Sequence, residues 1–120
     1  MVADFEAGLG TVQRLGDSPV DVVVIVVEPT AKSLEVGVRA AHAVRSAGLG
    51  RIVVTANRVR DEQDAARVRA AFPDDDRVLV PDDPAIVAAE RQGSAPLDAA
   101  PDAPAVRALV DLARGLAPQA

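Results

Sequence analysis

Hydrophobic positions along the chain follow two rhythms. From Val20 to Val27, valine and isoleucine succeed one another with no polar alternation after Asp21, the mark of a strand buried on both faces in a parallel sheet. RIVVTAN (Arg51–Asn57) and RVLV (Arg77–Val80) repeat the theme, and Met1–Asp4 reads as a short further strand. Between them the apolar spacing lengthens to helical periods. Over Ala31–Ala47, Leu34, Val38, Ala41 and Val44 share one face, with Thr30 placed as N-cap and Gly48 as the glycine beyond the last turn. Asp61–Phe72 opens on acids that suit a helix N-terminus, aligns Ala65, Val68 and Phe72, and stops at Pro73.

Asp74–Asp76 then reads as a solvated acidic turn, its three adjacent carboxylates a poor cage for a metal. Asp82 or Asp83 precedes Pro84, a good first-turn proline, so Ala85–Gln92 is a short helix ended by Gly93. Residues 94–104, rich in Pro, Ala and Asp, form a surface loop before a closing amphipathic helix, Ala105–Leu116, with Val106, Leu109, Val110, Ala113 and Leu116 apolar. Strands alternating with helices predict one α/β domain over residues 1–120. It has three layers, with a parallel sheet of three or four strands, right-handed crossovers and helices on both faces.

In such sheets ligands bind beyond the carboxyl ends of the strands. Polar or conformationally special residues gather there: Asp4 to Gly10 after the first strand, Glu28-Pro29-Thr30 after the second, Thr55-Ala56-Asn57 at the end of the third, and Pro81-Asp82-Asp83 after the fourth. Loops after strands are polar in any protein, so the clustering alone does not make a site. Several standard chemistries fail on the residues. Gly8-Leu9-Gly10 begins a dinucleotide fingerprint, but Gln13 stands where a third glycine should pack the helix. There is no nucleophile elbow and no G-x-x-x-x-G-K-[ST] loop, and Lys32 lies just inside a helix without a glycine-rich context. The lone histidine, His42, sits mid-helix beside Ala41 and Ala43 and reads as a surface residue.

Composition removes further classes. The 120 residues carry 13 basic and 18 acidic side chains, a net charge of −5, and only two aromatics, Phe5 and Phe72. Nucleic-acid binders need phosphate-neutralising charge and often aromatic stacking platforms, so no nucleic acid is expected. Zero cysteines exclude disulfides, thiol catalysis and cysteine-ligated metals. Val22–Val27 is far short of the ~20 apolar residues that cross a bilayer, so no membrane is expected. No secretory pattern opens the sequence, which makes the cytoplasm the default. All basic residues but Lys32 are arginine, a skew that fits GC-rich coding better than function.

The segments VADFEAGL, DVVVIVVEPTAKSLE, RIVVTANRVR and VLVPDDPAIVAAERQGSAPL, in this order and spacing, resemble the MinD/ParA-like deviant P-loop ATPases. Within these the accessory ATPases of carbon monoxide dehydrogenase nickel insertion look closest. The resemblance runs over about residues 2–116 and covers only the C-terminal half of that family's domain. It implies ATP and magnesium as cofactors. Asp4 matches the Walker-B-like acid that holds magnesium through water, as suits a hard ion that keeps its hydration. Gly8 matches the switch glycine whose N–H faces the γ-phosphate. Asn57 matches the asparagine that reads the adenine edge, and Pro81 with Asp82 matches the loop that packs on the base. Each has a plainer alternative: Asp4 as a helix cap, Gly8 as a local turn, Asn57 as a turn residue, and Pro81 as a strand terminator.

The sequence also departs from that family. It lacks the phosphate loop with its lysines, and Gly10-Thr11 stands where close relatives carry Glu-His. Without the loop, most phosphate binding and transition-state stabilisation is missing. In the family the P-loop strand separates the Walker-B-like strand from the next, so Met1–Asp4 and Val20–Val27 lose their shared neighbour. The resemblance therefore implies the adenine-recognising and switch-segment half of an ATP-dependent accessory or maturation factor, inactive alone. It would work as a homodimer or with a separate P-loop-containing polypeptide. The alternative is a stand-alone, non-catalytic α/β interaction module that has lost nucleotide binding; a dinucleotide-binding fragment is a third reading.

Overall fold

Three parallel strands, β1 (Val22–Val27), β2 (Arg51–Val59) and β3 (Asp76–Pro81), lie side by side in the order β1-β2-β3 in a computed structural model that describes residues 22–116. The register runs from Val22 opposite Arg51 to Val27 opposite Ala56, and from Val53 opposite Asp76 to Ala56 opposite Leu79. Met1–Asp4, the expected further strand, lies outside the described residues, as do Asp4 and Gly8 as candidate site residues.

Two helices cover one face: α1 (Ala31–Ala47) and α2 (Glu62–Ala71). Val23, Ile25, Val27, Ile52, Val54 and Ala56 point into this layer and meet Leu34, Ala41, Val44, Val68 and Phe72 in one core. The helices begin and end on local chemistry. Thr30 Oγ1 accepts from the Ser33 N–H at 3.2 Å, and Ser33 Oγ accepts from the Glu28 N–H at 2.9 Å. At the other end Gly48 takes φ 64°, and the Leu49 N–H returns to the Val44 carbonyl at 3.3 Å. Ala65, Val68 and Phe72 are buried as expected.

The other face carries α5 (Pro104–Leu116), which packs on β3 after α3 (Pro84–Arg91) and the short α4 (Pro96–Ala99). Its Ala108, Leu112 and Leu116 approach Val53 and Val78, the strand positions of opposite parity to the first core. The fold is thus an α/β sheet with helices on both faces.

Several expectations need correction. The strand at 22–27 is not buried on both faces among the described residues: Val27 is 2% exposed but Val26 is 66% exposed, because α5 packs chiefly on β3. On α1 it is Gly37 that faces the sheet, while Val38 is 41% exposed, since the helix turns its Leu34–Gly37–Ala41–Val44 side inward. Leu109 is likewise exposed on α5. Residues 94–104 are not all loop, because Pro96 starts the four-residue α4. Asp74–Asp76 is not simply solvated: Asp75, its side chain 11% exposed, pairs with Arg45, and Asp76 opens β3 and pairs with Arg51 at 3.2 Å.

Candidate functional site at the carboxyl edge

All three strands end at one edge of the sheet, and the polar residues beyond them converge there. β1 delivers Glu28, Pro29 and Thr30 to the start of α1. β3 delivers Pro81, Asp82 and Asp83 to the start of α3. β2 runs two residues past the expected end at Asn57, because it bulges. Ala56 pairs with Leu79 and Val59 with Pro81, so Asn57 and Arg58 on β2 stand against Val80 alone on β3. The Asp82 N–H then closes on the Val59 carbonyl at 2.9 Å.

This brings Asn57, Pro81 and Asp82 to neighbouring ends of adjacent strands. Asn57 is exposed, and its Oδ1 accepts from the Arg58 N–H at 3.0 Å. Asp82 is exposed, and its Oδ1 lies 3.7 Å from Arg58 Nε. Arg58 NH1 is also 3.7 Å from Glu28 Oε1, so one guanidinium spans the segments after β1 and β3. A hollow of about 180 Å³ opens beside it, lined by Glu28, Pro29, Thr30, Arg58 and Arg60. Asn57, Pro81 and Asp82 do not line that hollow; Arg58, which does, pairs with Asp82.

The two aspartates after β3 part company. Asp83 Oδ1 caps α3 through the Ala85 N–H at 3.0 Å, and Oδ2 caps α5 through the Ala105 N–H at 3.1 Å. Asp83 is therefore consumed by the fold, and Asp82 is the carboxylate left at the edge. Below them, Asp64 Oδ2 accepts both the backbone N–H and the Nε of Arg60 at 3.1 Å. Those hydrogen bonds, the guanidinium's first, hold the Asp64 carboxyl below its ordinary value and raise Arg60 above its own.

Sequence reasoning missed Arg58, Arg60 and Asp64. Asp61-Glu62-Gln63-Asp64 does carry a signal, an N-cap acid with a second acid three residues on, here seen as the Asp61 Oδ1 to Asp64 N–H bond of 2.8 Å. His42 is exposed on α1 as expected. A larger hollow of about 350 Å³ lies at the opposite edge, between α5 and the starts of β2 and β3. Its floor of Val53, Val78 and Leu112 is apolar, and Arg51 at its mouth is already paired with Asp76.

Among the described residues, the edge carries polar groups of a kind that can meet a flat base, and no phosphate cradle. The Asn57 carboxamide, a proline ring and the backbone carbonyls of the Pro81–Asp82 turn are groups of that kind, the Asp82 N–H being held by Val59. Triphosphate would need a cradle of N–H groups and a lysine, but the edge holds Glu28 and Asp82, and Lys32 lies in the first turn of α1 outside the hollow. Among the described residues no three His, Cys, Asp or Glu side chains are grouped to hold a metal ion. Nor is any helix among these residues long and apolar enough to cross a membrane.

No family model and no curated protein matches the sequence. Among solved structures the chain is similar to the MinD cell division protein of Aquifex aeolicus, with a TM-score of 0.66 and 23% identity over 85% of this chain and 45% of that one. The chain thus spans less than half the length of the structure it matches. What this likeness establishes is the fold: residues 22–116 build a three-stranded parallel α/β sheet with helices, arranged like part of the MinD structure.

Proposed function

We propose that the chain is the adenine-recognising and switch-segment half of a MinD/ParA-like ATPase, an ATP-dependent accessory or maturation factor that is not catalytic by itself. The observation that carries this reading is the meeting of Asn57, Pro81 and Asp82 at the carboxyl edge of a MinD-like sheet. The topology supports it as well. Among the described residues β1 pairs on one side only, and Val26 stands exposed on the face away from α1. A missing strand and helix beside β1 would cover both.

In this reading Asn57 hydrogen-bonds the adenine edge, Pro81 packs on the ring, and the Pro81–Asp82 loop presents its backbone carbonyls to it. Asp4 would hold magnesium through water, and Gly8 would face the γ-phosphate. A separate P-loop-containing polypeptide or a second copy of the chain completes the site, in the cytoplasm. The family resemblance implies a client such as a nickel enzyme being matured.

The test is an ATPase assay on the pure chain, followed by nucleotide binding after a P-loop half is supplied in trans. The expected result is no turnover alone and binding on completion, with Asn57→Ala weakening it by roughly 1–3 kcal/mol. Turnover by the chain alone that Asp4→Ala abolishes contradicts the proposal. A melting temperature indifferent to nucleotide in both states does so too, and leaves the interaction module.

A further inference from the structure

Arg58 has φ 60°, the only positive φ of a non-glycine residue among those described. This left-handed conformation crowds a Cβ and is costly for an L-residue, whereas glycine adopts it freely. A long side chain kept at such a place points to a role for the side chain itself. The bulge lifts Arg58 out of the ladder between Ala56 and Val59 and turns it toward the carboxyl edge. From there it touches the end of every strand: Glu28 after β1, Asn57 beside it on β2, and Asp82 after β3.

We infer that Arg58 is a positioning residue for the carboxyl edge. Its guanidinium ties the segments after β1 and β3 to the bulge, and its backbone N–H sets the Asn57 carboxamide. That N–H is a donor and needs an oxygen, so it fixes which end of the amide faces the chain. The NH2 group is the end left for a ligand, and it suits a hydrogen-bond acceptor such as a purine ring nitrogen. This choice of ligand rests on the adenine reading; the positioning of Asn57 and Asp82 does not.

The experiment compares Arg58→Gly and Arg58→Lys with the parent in the full chain. Glycine keeps the left-handed backbone and removes both ion pairs, while lysine keeps the charge but not the fork. Three quantities are read: the melting temperature, NMR relaxation of the Asn57 side-chain NH2 and the Asp82 amide, and the Kd for adenosine. For Arg58→Gly the melting temperature stays level or rises, the Asp82 amide gains fast motion while the Asn57 NH2, still set by the N–H of residue 58, changes little, and the Kd rises about three- to fivefold, the scale of exposed ion pairs. Lysine falls between. A purely structural arginine would lower the melting temperature instead, and unchanged relaxation at Asp82 in Arg58→Gly overturns the inference. Should the parent bind no adenosine, the adenine reading fails, and the relaxation data alone decide the positioning of the edge.

Discussion

Asp83 holds Ala105 across 22 residues of sequence: its Oδ2 accepts the Ala105 N–H at 3.1 Å while its Oδ1 caps α3. One carboxylate thus anchors the N-termini of two helices and fixes where α5 lies on β3. Each cap is worth about 1 kcal/mol. Asp83→Ala should therefore cost about 2 kcal/mol in urea unfolding, and Asp82→Ala, which caps nothing, within about 0.5 kcal/mol. Equal losses from the two would contradict the division between them.

Asp64 is only 2% exposed, and the two Arg60 hydrogen bonds keep it ionised. Its folded pKa lies below the ordinary value of 3.8. A depressed carboxyl contributes stability that is fully present above the unfolded value and is lost as pH falls through the folded one. As pH falls below about 5 and through the folded value, which lies below 3.8, the parent should lose more stability than Asp64→Asn, which cannot titrate. Parallel pH profiles would show that the pair is not coupled to folding.

Gly37 lies on the side of α1 that is packed on the sheet. A Cβ built there would come within 2.5 Å of Val27 Cγ1 and 3.1 Å of Phe72 Cζ, both in the packed core. In an open helix, Gly→Ala would gain roughly 0.5–1 kcal/mol. Here overpacking costs about 1–3 kcal/mol, so Gly37→Ala should destabilise by about 1–2 kcal/mol on balance. A gain in melting temperature would mean that the helix stands off farther than the structure shows.

Thr55 is 3% exposed, and its Oγ1 has no hydrogen-bond partner among the described residues. Burying such a hydroxyl costs free energy that a methyl group does not. Thr55→Val keeps the shape and the strand propensity, and should stabilise by about 0.5–1 kcal/mol in urea unfolding. A loss of similar size would reveal a partner for the hydroxyl.

The strands and helices were legible in the sequence because valine runs and the Ala65–Val68–Phe72 spacing are local signals. The exposure of Val26 was not, since it depends on how far α5 reaches across the sheet. Gly37 was overlooked because a hydrophobic pattern counts a glycine as nothing, although a missing side chain is what lets α1 sit so near Val27. At the edge, the convergence of Asn57, Pro81 and Asp82 could be read from strand ends alone. The bulge could not, because Asn-Arg carries no glycine to announce a left-handed residue at position 58. Nor could sequence tell which aspartate after β3 caps helices, since Ala105 is distant in the chain.

The most direct test of the base-side account is a titration of the 15N-labelled chain with adenosine, which has no phosphates to need the missing loop. The account predicts weak, saturable shifts of the Asn57 side-chain amide and the Asp82 backbone amide, lost in Asn57→Ala. Shifts confined to the opposite edge around Val53 and Leu112, or none up to the solubility limit of adenosine, would contradict it.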